Sequence, residues 1–174
     1  MKYETKLCEI GHKYGTDKCP QIKHSFTPFY YSLLKDKNIK KVLELGIGDG
    51  GSLRMWKEFF PDAKIYGIDI DKTRLITEEN IETFLCDGTN EKEVLKILQK
   101  TGTDIDLFID DGSHIYEDQI SACKIIKPLL KTTTYIIEDV THPDKITKGL
   151  SEYDVFKPEL KNKGYRDNRL LVIK

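Results

Sequence analysis

The stretch Gly46-Ile-Gly-Asp-Gly-Gly51 limits the folds open to this chain more than any other. Before it stands a short apolar run, residues 41–46, that reads as a strand ending in the first glycine. After it Leu53, Trp56, Phe59 and Phe60 recur at helical spacing until Pro61. Glycines between a strand and a helix let the backbone turn tightly and approach a ligand closely, and the helix N-terminus presents free N–H groups. The spacing fits both GxGxG and GxGxxG, and an acid, Asp69, closes the next strand. A tight βα turn is the plain reading; a nucleotide-type ligand is the functional one, and the flanking elements favour it.

The rest of the chain keeps alternating. Residues 64–69, 83–86, 105–110, 134–138 and 169–174 read as strands. Residues 27–35 read as a helix, Asn90 as the N-cap of a helix carrying Val94, Leu95, Ile97 and Leu98, and residues 117–130 as a helix with Ile120, Cys123, Ile126 and Leu130 on one face. Strands separated by helices predict an α/β fold: a Rossmann-like, doubly wound, mostly parallel sheet in a single domain. Residues 1–40 form an N-terminal segment and residues 41–174 the core. Such sheets bind ligands beyond the carboxyl ends of their strands. Those ends carry Glu44 with Gly46, Asp69, Asp87, Asp110 with Asp111, and Glu138 with Asp139.

Composition narrows the function by exclusion. The net charge of −1, from 28 basic and 29 acidic residues, offers no global field for nucleic acid or an anionic membrane. No apolar run approaches the roughly 20 residues of a membrane span, and the first six residues lack the apolar stretch of a secretory signal. Cys8, Cys19, Cys86 and Cys123 have no CxxC spacing, which favours reduced thiols in a cytoplasmic protein over a zinc site or disulfides. The partner left by exclusion is a small molecule, and a homo-oligomer stays open.

The acids choose among nucleotide-type ligands. Glu44 would repel a pyrophosphate but could face a cationic group, Asp69 can accept ribose hydroxyls, and Asp87 with Gly88 suits an adenine amino group. A ligand with ribose, adenine and a positive sulfonium fits these demands. The strand-end pairs Asp110-Asp111 and Glu138-Asp139 can converge, and four carboxylates together need relief from repulsion. Helix caps or pairing with lysines is one solution. A hard cation such as Mg2+ on Asp111, Glu138 and Asp139 is the other. His114, three residues beyond Asp111, is either structural or a proton acceptor beside that cation.

The run from Val42 through Ser52, then Gly67-Ile-Asp69-Ile and Cys86-Asp87-Gly88, resembles the class I S-adenosylmethionine-dependent methyltransferases. That resemblance implies that Glu44, Gly46 and Gly48 border the methionine part, Asp69 holds the ribose, and Asp87 and Gly88 border the adenine. Ile70 and Asp110 complete the expected cofactor set. Asp110-Asp-Gly-Ser-His114 with Glu138-Asp139 further resembles the metal-dependent sugar O-methyltransferases of macrolide biosynthesis and their relatives in polysaccharide and capsule loci. So does Tyr14-Gly-Thr-Asp-Lys18, followed by His24 and Tyr30-Tyr31. The resemblance implies metal ligands Asp111, Glu138 and Asp139, His114 as base with Asp111 in the catalytic set, and residues 1–40 covering the active site. Two departures stand out. Lys131-Thr-Thr-Thr134 lies where glycines are common, and the stretch after Val140 is short, so the usual last helix and strand hairpin must be compressed. The expected function is a Mg2+-assisted S-adenosylmethionine-dependent O-methyltransferase acting on a sugar-like or other polar hydroxyl of a small-molecule or glycan acceptor. The rivals are a metal-independent methyltransferase, a non-catalytic S-adenosylmethionine-binding domain, and a nicotinamide-dependent oxidoreductase.

Overall fold

The computed structural model describes residues 2–130, 132–161 and 164–174. The described residues form an eight-stranded sheet with helices on both faces. The strands are β1 (Lys41–Leu45), β2 (Lys64–Asp69), β3 (Thr77–Glu78), β4 (Ile81–Leu85), β5 (Leu107–Asp110), β6 (Thr134–Ile137), β7 (Val155–Phe156) and β8 (Leu171–Ile173). The helices are α1 (Lys6–Lys13), α2 (Phe26–Leu34), α3 (Gly51–Phe59), α4 (Glu91–Thr101), α5 (Tyr116–Ile126) and α6 (Pro143–Gly149). The sheet order is β3-β4-β2-β1-β5-β6-β8-β7, with β4, β2, β1, β5 and β6 parallel and β3 and β8 antiparallel to their neighbours.

Two-sided burial explains the apolar strands. Val42, Ile65, Leu107, Ile109, Ile136 and Val172 face a core shared with α1, α2 and α3. Leu43, Ile68, Phe108, Tyr135, Ile137 and Leu171 face a second core shared with α4, α5 and α6. Neighbouring residues on one strand thus enter opposite cores, as the pleat requires. Leu7, Ile10, Phe26, Tyr30 and Leu34 of the N-terminal segment belong to the first core, together with Leu53 and Trp56.

Asn90 caps α4 as expected, its side chain accepting from the amides of Lys92 and Glu93. Several expectations needed adjustment. α5 ends at Ile126, and Lys127–Leu129 tightens into a 3-10 turn, because Pro128 has no amide to continue the α-helical ladder. The third expected strand begins earlier, as β4, and is joined to β3 by a two-residue turn in which Asn80 takes φ +61. α1 was not anticipated; Thr5 caps it by accepting from the Cys8 amide. The last stretch is compressed but complete: a seven-residue α6, then β7 and β8 pairing onto β6. Lys131 lies outside the described residues, and Thr134 opens β6. Among the described residues no helix is long and apolar enough to cross a membrane.

β1 sits between β2 and β5, so the chain leaves it in one direction and later returns on the other side. That reversal opens a crevice at the carboxyl ends of β1 and β5. Gly46 lies at its base with φ +90, and a Cβ there would come 2.0 Å from the Asp111 carbonyl oxygen. Gly48 also has positive φ, but a Cβ there meets nothing within 4 Å. Gly46→Ala should therefore cost clearly more than Gly48→Ala. The latter incurs only the backbone term of about 1–3 kcal/mol, a fall in melting temperature of roughly 2–10 °C. Equal melting temperatures for the two variants would contradict this placement of the loop.

Candidate functional site

The glycine loop is tied to the strand end that follows it. Ile47 N–H donates to Asp69 Oδ2 at 2.9 Å, Asp71 N–H donates to Asp69 Oδ1 at 2.8 Å, and Gly46 N–H donates to the Ile68 carbonyl at 2.8 Å. Asp69 is thereby fixed at the rim of two adjoining cavities. The first, about 290 Å3, is lined by Gly46, Asp69, Ile70, Asp87, Gly88 and Asp110 among others. Its lining holds four acids and no Lys, Arg or His. The second, about 460 Å3, shares Gly46, Asp69 and Gly112 with the first and is closed by Tyr14, Thr16 and Asp17 from the N-terminal segment. Gly48, Asp111, His114 and Asp139 line this second cavity.

Two of the expected site residues lie elsewhere. Glu44 and Glu138 line neither cavity and are buried, at 0% and 1% exposure. The reason is Lys18, itself buried. Its ammonium donates to Asp111 Oδ2 at 2.5 Å and to Glu138 Oε2, and lies 3.3 Å from Glu44 Oε1. The Tyr30 hydroxyl donates to the other Glu138 oxygen, and Trp56 Nε1 donates to Glu44 Oε2 at 2.7 Å. The relief of repulsion that the strand-end acids demand is thus supplied by a lysine for Glu44 and Glu138. Of the expected oxygen donors, Asp111 and Glu138 meet on the Lys18 ammonium, while Asp139 lies on the other side of Asp111 beside His114.

The geometry brings together Asp111, His114 and Asp139, whose ligating atoms lie within 4.8 Å of one another. His114 Nε2 is 3.1 Å from Asp111 Oδ1 and Nδ1 is 3.6 Å from Asp139 Oδ2. Asp139 also belongs to a second set, with Asp17 and the buried His24, whose Nε2 is 3.2 Å from Asp139 Oδ1. Neither Asp17 nor Lys18 stands out in the sequence except through the early motif, and Tyr30 reads there as half of an aromatic pair. His114 at φ +59 and Asp139 at φ +51 hold left-handed backbone that side-chain-bearing residues seldom adopt. Two such residues facing one another across a cleft indicate a constraint beyond folding.

Burial governs the charges here. It pushes the carboxyls of Asp110 and Asp139 up to about 7. It also raises Glu44, and Glu138 further, where the crowding of Asp111 and Glu44 adds to the effect. Burial opposes ionisation of Asp111 too, but Lys18 and His114 hold that carboxyl below the usual range. Burial would lower Lys18, yet Asp111, Glu138 and Glu44 together hold its ammonium well above the ordinary lysine value. The hydrogen bond to Asp111 raises His114, whereas burial lowers His24. Asp110 Oδ2 is a buried acceptor with no hydrogen-bond donor among the described residues, and Asp139 Oδ1 meets the His24 imidazole at 3.2 Å without hydrogen-bond geometry. Such atoms suit a donor or a cation brought by a ligand.

A proton on Asp139 and a divalent ion compete for the same carboxylate. Below about pH 7 the acid is protonated and the ion must displace the proton; above it the ion binds an ionised group. Mn2+ affinity, read by electron paramagnetic resonance of the free ion, should rise up to about tenfold per pH unit between pH 6 and 7 and then level off. An affinity independent of pH from 6 to 8 would remove Asp139 from any ion site.

The FtsJ-like methyltransferase model matches residues 6–162 of this sequence. The mycinamicin VI 2''-O-methyltransferase of Micromonospora griseorubida is 36% identical over 144 residues, covering 77% of this chain and 36% of that protein. The demethylmacrocin O-methyltransferase of Streptomyces fradiae is 35% identical over 144 residues, with the same two shares. The chain therefore spans about a third of the length of these curated relatives. A solved MycE methyltransferase from the mycinamycin biosynthetic pathway, in complex with Mg, SAH and mycinamycin VI, shares the fold with a TM-score of 0.78. That match is at 27% identity and covers 98% of this chain and 54% of the other. A mostly parallel sheet reversed at a glycine loop, acids at the ends of its parallel strands and a family model that spans most of the sequence agree: the chain belongs to the FtsJ-like methyltransferases.

Proposed function

We propose that this chain transfers a methyl group from S-adenosylmethionine to a hydroxyl of a sugar-like or other polar acceptor, assisted by a divalent ion, preferably Mg2+. The observation that carries the reading is the joining of two cavities at Gly46 and Asp69, one acid-lined and adenosine-like in its demands, the other holding His114. Asp69 and Asp87 offer acceptors for ribose hydroxyls and an adenine amino group, and Asp110 Oδ2 waits for a donor. A lining of four acids without a basic residue disfavours a dinucleotide's pyrophosphate, which counts against the nicotinamide alternative. The two curated relatives, both named as O-methyltransferases, support a hydroxyl as the acceptor group.

Methyl transfer to an alcohol needs the hydroxyl, methyl carbon and sulfur in line and a group to take the hydroxyl proton. The acceptor lies in the second cavity, under residues Tyr14–Asp17 of the N-terminal segment, which covers the cleft in this reading. Asp111 Oδ1 orients the His114 imidazole, and that imidazole, 41% exposed, takes the proton. Asp111 and Asp139 would hold the ion, joined by Glu138 where Lys18 gives it up. A bound Mg2+ supplies a lowered pKa for the acceptor hydroxyl. Carboxylate oxygens, among them a buried Asp139 oxygen that accepts no hydrogen bond, fit a hard ion. A sugar on a polysaccharide or capsule precursor would meet the same cleft as one on a natural product. The four cysteines are buried free thiols, which fits a reducing, cytoplasmic setting. The metal-independent alternative draws support from Lys18, which already supplies a positive charge to Asp111 and Glu138.

Methyl-labelled S-adenosylmethionine offered with deoxysugar-bearing macrolides, nucleotide sugars and capsular fragments should label one acceptor class. EDTA should abolish the labelling and Mg2+ restore it; labelling that survives EDTA favours the metal-independent form. The rate should rise with pH across a midpoint above 6.5, because Asp111 raises the imidazole's pKa and only the neutral ring accepts a proton. His114→Ala should lose on the order of 10²–10⁴ in turnover with S-adenosylhomocysteine affinity unchanged. Near wild-type turnover in that variant would make His114 an orienting residue only.

A further inference from the structure

We infer that Lys18 is the resident counter-ion of the strand-end carboxylates and competes with a divalent ion for the oxygens of Asp111 and Glu138. The inference rests on the ion-assisted part of the proposed function. Lys18 meets carboxylates from the ends of β1, β5 and β6, donating to Asp111 and Glu138 and lying 3.3 Å from Glu44 Oε1 as an ion pair. Its backbone is fixed as well: the Lys18 carbonyl accepts from the amides of Phe26 and Thr27 at the start of α2, each at 3.1 Å. The same helix presents Tyr30 to Glu138. The Lys18 backbone is therefore anchored beside the site, and only its side chain can yield.

Three carboxylates at one point, two of them fully buried, would repel one another without a cation and open the strand ends. Lys18 removes that repulsion before any ion arrives, so the site is assembled in the ion-free protein. The cost falls on ion binding. A divalent ion on Asp111 shares that carboxylate with an ammonium 2.5 Å from its other oxygen, and Glu138 reaches the ion only by giving up Lys18. The two cations repel across one carboxylate group. Lys18 acts through Asp111 and Glu138 and is a positioning residue.

Mn2+ binding and S-adenosylhomocysteine binding would be measured on the full chain of the wild type, Lys18→Met and Lys18→Arg. Lys18→Met should bind Mn2+ about tenfold or more tightly, and Lys18→Arg, which keeps the charge, should stay within about threefold of wild type. S-adenosylhomocysteine affinity should stay within about twofold in each. A merely structural lysine would leave Mn2+ affinity unchanged or weaken it in Lys18→Met, and either result overturns the inference. Should Lys18→Met fail to fold, wild-type crystals soaked in Mn2+ decide. Release of Asp111 or Glu138 by Lys18 supports the competition, and an ion bound with both contacts kept overturns it. Mn2+ binding in Lys18→Met but not in wild type supports the inference and removes the ion from the proposed reaction. Binding in wild type that Lys18→Met does not change overturns the inference and leaves the reaction standing. No Mn2+ in the wild type or in any folded variant overturns both.

Discussion

One buried ammonium holds the business end of this fold together. Lys18 reaches from the N-terminal segment to Glu44, Asp111 and Glu138, and each of these sits at the carboxyl end of a different parallel strand. Burying Lys18, Glu44 and Glu138 beside a part-exposed Asp111 is costly, and the arrangement is tolerable only because the hydrogen bonds are nearly complete. Trp56 satisfies one Glu44 oxygen and Tyr30 one Glu138 oxygen, and both rings are fully buried in the core that α1, α2 and α3 build. Packing, charge and topology therefore meet at one point: α2 and α3 dock where they do partly to deliver a phenol and an indole to carboxylates.

The division of labour among the acids follows from that point. Glu44 and Glu138 face inward to Lys18, while Asp69, Asp87 and Asp110 face the first cavity and Asp139 the second. Asp111 serves both sides, with one oxygen on Lys18 and the other toward His114. Asp111 thus couples the buried network to the cleft, and a change in Lys18 is felt at the imidazole through a single carboxylate.

The local parts of this architecture are legible in the sequence. Periodicity and glycines locate β1, α3 and β2, and Asn90 marks the start of α4, because these signals are carried by neighbours in the chain. The acids at the strand ends are visible for the same reason. Their partners are not. Lys18 pairs with Asp111 and Glu138 across 93 and 120 residues, and one lysine among 24 carries no mark of burial. Glu44 and Glu138 consequently read as ligand-facing, because a strand-end carboxylate looks the same whether it meets a cofactor, an ion or a lysine. α1, with eight residues, and the two-residue β7 are too short for a periodic signal to stand clear, and tertiary packing decides them.

The most direct measurement is heteronuclear NMR of the Lys18 side chain in the ion-free protein. The account predicts an ammonium that exchanges its protons slowly with water and stays protonated beyond pH 10.5, the ordinary lysine value, because three carboxylates outweigh the burial that would lower it. A neutral amine near pH 7, or an ammonium that exchanges like a surface lysine, would contradict it.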